Sequence, residues 1–335
     1  MMEAPRVHVG ILLRTEVRLC LKGSFVCNKR KIEAGAYTVR CEKGTIDSPW
    51  GTHQESLELM PASDTSTFIL RNVRIGIGFH WEREEDQEFE GSLVLKAEVG
   101  AIRAINILPV EQYLKSVISS EMSAMNDPNL LKVHAIVSRS WLLAQMKKKA
   151  LPHTSLPERQ KQENNEIIRW YEREDHATFD VCADDHCQRY QGISKILSAN
   201  AGKAVDATSG IVLTYNGEIC DARFSKCCGG ISESYENVWQ PISIPYLTSV
   251  RDWFPDKSPK NLPVDYFTSS PPAFCNTRDP EVLRQILVDF DRDTQQFYRW
   301  KVDYTQEYLS DLLARKSGID FGRVLDLLPL ERGPS

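Results

Sequence analysis

The hydrophobic period of this chain changes once, near residue 109, and that change limits the folds open to it. Before it, Val7–Leu13, Val17–Leu21, Gly35–Cys41, Thr67–Gly78, Phe89–Val99 and Ala101–Ile107 read as strands. They are rich in β-branched residues, alternate in part, and are divided by Gly, Lys-Gly or charged turns. The acidic run Glu82–Glu90 is expected to be a solvated loop or hairpin tip. After it, residues 110–149 take a helical period and form two helices split at Asp127-Pro128. Strands and helices segregated in this way predict an α+β fold: a β-rich N-terminal part followed by a mixed α/β body with a central buried helix.

The rest of the chain is less regular. Residues 151–175 are polar and read as an exposed insertion. From Cys182 to Val250, short strands (Ile211–Tyr215, Ala222–Phe224) alternate with Gly-rich turns and a polar helix around Ser194–Ala201. A long loop is expected over Pro255–Pro272, helices over Val282–Phe290 and Glu307–Lys316, and strands over Phe297–Tyr304 and Val324–Leu330. No repeat, Rossmann fingerprint or P-loop is present. The 46 acidic against 41 basic residues leave a net charge of −5, which gives no electrostatic case for nucleic acid. No apolar run is long enough to cross a membrane. The first residues show no basic and apolar leader pattern, so no signal peptide is expected in this chain, and the C-terminal end reads as a cut inside a domain.

The first helix carries the most informative residue. Pro109 and Val110 open it, and Tyr113, Leu114, Val117 and Ile118 form its apolar stripe. At about 100° per residue, Glu121 falls between Leu114 and Val117, whereas Glu111, Gln112, Lys115, Ser116, Ser119 and Ser120 take the polar side. A carboxyl centred on an apolar face loses hydration and holds its proton, as a general acid must. The alternative is a helix that ends near Ser120 and leaves Glu121 solvated or paired with an arginine such as Arg139. The second helix, Asn129–Lys149, is apolar nearly all round, which predicts a central position with Arg139 partly buried and paired to a carboxylate or to loop carbonyls.

Two further segments bear chemistry. His176, Cys182, His186 and Cys187 lie within twelve residues, and two imidazoles with two thiolates suit a tetrahedral zinc ion. The adjacent His186 and Cys187 can both ligate only where the backbone turns sharply. With four protein ligands the ion would be structural. A buried thiol pair or disulfide beside surface histidines is the competing reading. The second segment is Phe224-Ser225-Lys226-Cys227-Cys228-Gly229-Gly230. Its glycines permit a tight turn and close approach of a ligand, and Ser225 and Lys226 offer hydrogen bonds, although the segment taken alone reads as a plain turn.

In this order the motifs resemble the stage II sporulation protein D (SpoIID) family, whose domain is shared with LytB-type amidase enhancers. The resemblance rests on Leu108-Pro109-Val110-Glu111-Gln112-Tyr113-Leu114 with Ser120-Glu121-Met122, on Leu131–Trp141, and on Asp180–Gln188. It continues through Ala204–Gly210, Cys228-Gly229-Gly230, Glu236–Trp239 and Pro245-Tyr246-Leu247. It places a SpoIID/LytB-like domain at 67–335 with residues 1–66 as part of the same body. It implies a lytic transglycosylase of peptidoglycan glycan strands, stem-peptide-poor ones in the sporulation branch, acting in the cell envelope. Glu121 is then the single acid and base, Ser225, Lys226, Gly229, Gly230 and Trp239 contact substrate, and His176, Cys182, His186 and Cys187 hold structural zinc. The alternative is a non-catalytic, glycan-binding amidase enhancer whose partner is an N-acetylmuramoyl-L-alanine amidase. Cys227-Cys228 and Lys226 depart from the family pattern, which has a Ser/Thr-Ser pair before Gly-Gly.

Overall fold

Strand formation dominates the first third because apolar residues alternate with polar ones over stretches of six to nine residues. The computed structural model describes residues 5–150, 160–163, 166–169, 176–196, 198–254, 265–287, 297–328 and 333. Within them, β1 (Arg6–Arg14), β2 (Glu16–Lys22), β3 (Phe25–Cys27), β4 (Arg30–Ile32), β5 (Gly35–Glu42), β6 (Thr45–Ser48), β7 (Gly51–His53) and β8 (Ser56–Pro61) are followed by β9 (Thr67–Ile75), β10 (Arg83–Glu90), β11 (Ser92–Glu98) and β12 (Ala101–Pro109). Helices α1 (Val110–Glu121) and α2 (Pro128–Ala150) come next. The hairpin β13 (Gln160–Glu163) and β14 (Glu166–Arg169) precedes β15 (Val181–Cys182), α3 (Ala199–Ala207), and the short pair β16 (Thr214–Tyr215) and β17 (Glu218–Ile219). Helices α4 (Tyr235–Val238), α5 (Asp265–Thr268), α6 (Pro280–Ile286) and α7 (Gln306–Ser317) complete the order, and the fold is α+β as expected.

Two units divide the chain. The first comprises 1–154, 173–223 and 280–292, the second 155–172, 224–279 and 293–335. The first contains two sheets, one in the order β15-β1-β12-β11-β8-β3-β4 and the other β10-β9-β2-β5-β6-β7. Their inward side chains share one core. Phe25 of β3 meets Phe68 of β9 edge-on at 6.3 Å, Phe68 stacks on Phe89 at 5.4 Å, and Phe89 lies 5.9 Å from Tyr190. Each such buried side chain contributes about 1.5–3 kcal/mol, so this core fixes the sheet edge on which the site is built.

Several expectations need correction. All of the acidic run 82–90 but Glu82 is strand β10, with Gln87 and Phe89 buried, rather than a loop. Gly91 ends it, so the expected strand Phe89–Val99 belongs to two strands. Ala222–Phe224, Phe297–Tyr304 and the described part of Val324–Leu330 are irregular, not strands, and Ile211–Tyr215 shrinks to the two residues of β16. The polar helix lies later than expected, at Ala199–Ala207. Residues 288–290 of the next helix, most of the 151–175 insertion and much of the Pro255–Pro272 loop lie outside the described residues. Helix α2 is not buried all round. Leu131, His134, Ala135, Ser138, Arg139, Trp141 and Leu142 face the core, while Val133 is 56% exposed.

Candidate active site and metal centre

Glu121 closes α1. The helix stops there because Met122 adopts an extended backbone, so the carboxyl stands half-buried at a helix C-terminus. Its Oε1 accepts the backbone N–H of Arg189 at 2.7 Å. Arg189 is itself buried and held on three sides. Its guanidinium donates to Asp185 at 2.5 Å and to the Ser120 carbonyl at 3.4 Å, and it lies 4.9 Å over the Trp81 ring. Burial pushes the Asp185 carboxyl up from its ordinary range, opposed by the Arg189 charge.

The expected polar side of α1 proves to be a second packing face. Ser116, Ser119 and Ser120 are buried. Ser116 Oγ donates to the Gly192 carbonyl at 2.7 Å and accepts the Gln191 N–H at 3.3 Å. On the same helix Tyr113 stacks on Tyr190 at 5.1 Å and donates to Gln188 at 3.2 Å. Residues 188–192 therefore lie along α1, bound by hydroxyl bonds and ring stacking, and this seats Arg189 against Glu121. Full burial, with smaller contributions from Cys187 and Glu121, raises the Tyr113 hydroxyl well above the usual phenol range.

Arg139 does not pair with Glu121. Its fork meets Glu111 in the first turn of α1, Nε to Oε1 at 2.9 Å and Nη2 to Oε2 at 2.6 Å. A third donor reaches the Ile211 carbonyl at 3.0 Å, and the Gly210 N–H also donates to Glu111. Arg139 is only 1% exposed, and it ties α1, α2 and the 205–211 segment together. Both expected anchors, a carboxylate and loop carbonyls, are present.

The four metal-type residues converge. Strand β15 pairs in parallel with β1 through Val9–Val181 and Gly10–Cys182, which fixes Cys182 at the sheet edge. The loop then turns back: Cys187 N–H donates to the Asp184 carbonyl at 3.0 Å and Tyr190 N–H to the Ala183 carbonyl at 2.9 Å. That turn aims adjacent His186 and Cys187 at one point. Cys187 Sγ lies 3.4 Å from His176 Nε2 and 3.5 Å from His186 Nδ1, and Cys182 Sγ lies 3.9 Å from His186 Nδ1. All four donor atoms are within 4.8 Å of one another. The edges of a tetrahedral zinc site with ordinary Zn–S and Zn–N bonds are about 3.3–3.8 Å, so donor set and spacing fit that ion.

One feature of the site was missed in the sequence. The loop after β9 folds over Arg189. Gly76 and Ile77 N–H groups donate to the Asp184 carboxylate at 3.2 and 3.1 Å, and Phe79 stacks on Trp81 at 5.9 Å. Gly76 has φ +65°, and a Cβ there would lie 2.4 Å from the Trp81 ring, so only glycine admits the indole. Phe79 is exposed. The signal was Phe79-His80-Trp81 behind Gly76 and Gly78, hidden at the tail of what read as a strand.

The other expected contact residues belong to the second unit. Ser225 and Lys226 are exposed, and Trp239 follows α4 at the surface. Gly230 has φ +102°, and a Cβ there would meet the hydroxyls of Tyr266 and Tyr298 at 2.5 and 2.6 Å. The close approach that its bare backbone permits is thus made by two tyrosines of the chain itself.

A glutamate at a helix end accepts a hydrogen bond from the loop that follows the His/Cys cluster, and comparison with known proteins shows what this region resembles. Residues 98–215 match the family model described as Stage II sporulation protein, and residues 233–335 match one described as Domain of unknown function (DUF8618). The chain carries a domain of the SpoIID family. It is 26% identical over 171 residues to stage II sporulation protein D of Bacillus subtilis (strain 168), covering 51% of this chain and 46% of that protein. With the protein of that name from Bacillus amyloliquefaciens it shares 28% over 166 residues, 49% of this chain and 44% of the other. It is also 42% identical over 65 residues to the amidase enhancer of Bacillus subtilis (strain 168), 19% of this chain and 9% of that one. The matched stretch spans less than half the length of each relative. Glu121 and the His/Cys cluster all fall within the matched 98–215 span. No described helix is long and apolar enough to cross a membrane.

Proposed function

We propose that this protein is a lytic transglycosylase that cleaves stem-peptide-poor peptidoglycan strands at the cell envelope, outside the cytoplasm. The observation that carries the reading is the fixed Glu121 carboxyl, whose Oε1 is held by a backbone N–H while the rest of the group remains at the helix end. Hydrolytic glycosidases use two carboxyls. Here one suffices, because the muramyl C6 hydroxyl is the nucleophile. Glu121 gives its proton to the glycosidic oxygen as the C1–O bond breaks, and the resulting carboxylate takes the proton of the C6 hydroxyl as that oxygen bonds to C1. The products are a free 4-hydroxyl end and a 1,6-anhydromuramyl end, and the acid is restored. Oε1 accepts the Arg189 N–H in both protonation states, so the carboxyl keeps its place through the cycle.

The aromatic pair Phe79 and Trp81 beside Arg189 supplies a face on which sugar rings stack. Ser225, Lys226, Gly229 and Trp239 are further glycan contacts by family resemblance, whereas Tyr266 and Tyr298 close off Gly230. His176, Cys182, His186 and Cys187 would hold a zinc ion whose contribution is structural, since four protein donors leave it no open position. The residues between Cys182 and Arg189 then form a rigid loop that presents the Arg189 N–H to Glu121.

Purified protein incubated with peptide-stripped glycan strands is expected to yield anhydromuramyl products, and Glu121→Gln is expected to slow their formation by about 10²–10⁴-fold. Cleavage at the wild-type rate in that variant overturns the reading. The 42% identity with an amidase enhancer supports a second one, in which the chain binds glycan without cleaving it and stimulates an N-acetylmuramoyl-L-alanine amidase. Tight glycan binding without turnover, together with a faster amidase reaction, selects that alternative.

A further inference from the structure

Among its described residues the second unit has a thin core. The buried apolar side chains among them are Ile231, Tyr235 and Ala273, whereas Trp300 is 77% and Phe254 73% exposed. A small body with so little buried apolar surface relies on a disulfide, a metal or a partner to stay folded.

Three loops of this unit meet at one point. Asp252 N–H donates to the Gly230 carbonyl at 2.9 Å, Phe274 N–H to the Asp252 carbonyl at 2.9 Å, and Cys275 N–H to Asp252 Oδ2 at 2.8 Å. These bonds bring Cys228, Asp252 and Cys275 side by side. The Cys228 and Cys275 Sγ atoms are 3.7 Å apart, and with one Asp252 oxygen all three donor atoms lie within 4.8 Å of one another. A disulfide bond is about 2.05 Å. Two thiolates bound at about 2.3 Å to a tetrahedral ion stand about 3.8 Å apart, which is the separation found here.

The third group decides between the two chemistries. A disulfide is neutral and gains nothing from a carboxylate. Two thiolates and a carboxylate, all partly buried, gather negative charge that a dication neutralises. The thiolates favour a borderline-soft ion over calcium or magnesium. The Cys275 N–H bond to Asp252 orients the carboxylate, as outer-shell donors do for metal ligands.

We propose that Cys228, Asp252 and Cys275 bind a zinc ion that staples the three loops of the C-terminal unit, with water completing the coordination. The site is separate from the His176/Cys182/His186/Cys187 cluster and does not depend on it.

Elemental analysis of the full chain, after chelation and return of zinc, tests the proposal. The Cys228→Ser/Cys275→Ser variant is expected to hold one zinc fewer per chain than the wild type. Cys182→Ser/Cys187→Ser should also lose one if the first cluster binds zinc, and it should keep the wild-type count if only that reading fails. Cobalt(II) added to Cys182→Ser/Cys187→Ser should give a thiolate charge-transfer band that vanishes when Cys228 and Cys275 are also replaced. Asp252→Asn, which keeps an amide oxygen to accept the Cys275 N–H, should weaken zinc retention against a competing chelator by at least about tenfold with an unchanged far-ultraviolet circular dichroism spectrum. Equal zinc content in the wild type and Cys228→Ser/Cys275→Ser overturns the proposal. So does a Cys228–Cys275 disulfide in peptides mapped from the purified wild type.

Discussion

The backbone N–H of Arg189 donates to Glu121 Oε1 at 2.7 Å, two residues beyond the metal-type cysteine Cys187. The proposed acid is thus oriented by the same loop that carries Cys182, His186 and Cys187.

Replacing Glu121 by glutamine keeps an acceptor for that N–H and removes the proton donor. The anhydromuramyl-forming rate should fall by about 10²–10⁴-fold, the usual share of a general acid–base, with little change in melting temperature. Hydrogen exchange at the Arg189 amide should stay protected in Glu121→Gln and accelerate in Glu121→Ala. Equal protection in the two variants would show that the bond does not orient this side chain.

Stripping metal should release the 182–189 loop. Chelation is expected to lower the melting temperature and activity together, with Arg189 amide protection lost in step, and zinc should restore all three. If activity disappears while amide protection and melting temperature hold, the ion has a chemical role and the structural reading fails.

The Arg139–Glu111 pair should rank among the strongest single contributors to stability. Glu111→Gln leaves a buried guanidinium without its counter-charge and should cost about 3–5 kcal/mol in denaturant unfolding. Arg139→Lys keeps the charge but loses the fork, so a smaller loss is expected.

His134 sets a pH window for stability. Burial lowers its pKa from 6.5 to about 4. The unfolded chain therefore takes up this proton near pH 6.5 and the folded chain only near pH 4. Stability should fall as pH drops through that window, by about 3 kcal/mol in total, and should be unaffected by this group above it. His134→Gln should flatten the curve between pH 4 and 6.5, and a profile unchanged by the substitution would refute the assignment.

The aromatic loop offers a test separate from chemistry. Trp81→Ala and Phe79→Ala should weaken binding of peptide-free glycan by several-fold, measured by co-sedimentation with the Glu121→Gln protein so that no substrate is consumed. Binding equal to that of the parent removes this face from the substrate path.

The sequence revealed the two long helices and the larger strands, because their apolar periods extend over many residues. It could not reveal β10, whose Glu-rich face is that of a solvated edge and whose inward side shows only as Gln87 and Phe89. The short strands β3, β4, β6 and β7 hold too few residues to show alternation. Ser116 and Ser120 misled for a different reason: small hydroxyls look polar in a periodic pattern, yet they bury readily when a neighbouring loop accepts or donates their hydrogen bonds. The His/Cys set was legible as chemistry, and whether His186 and Cys187 could point together depended on the turn closed by Ala183 and Tyr190. The Cys228, Asp252 and Cys275 grouping was not legible, because its members stand more than twenty positions apart.

Helix α1 is gripped at both ends, Glu111 by the buried fork of Arg139 and Glu121 by the Arg189 amide. Rotation of the helix about its axis would break both grips at once, so the two contacts together hold the Glu121 backbone in one orientation. On the proposed reading, selection would fall on the polymer. A glycan would be cut where its own curvature and the bareness of its lactyl groups let a linkage reach a stationary proton, and a strand unable to bend to that point would be spared.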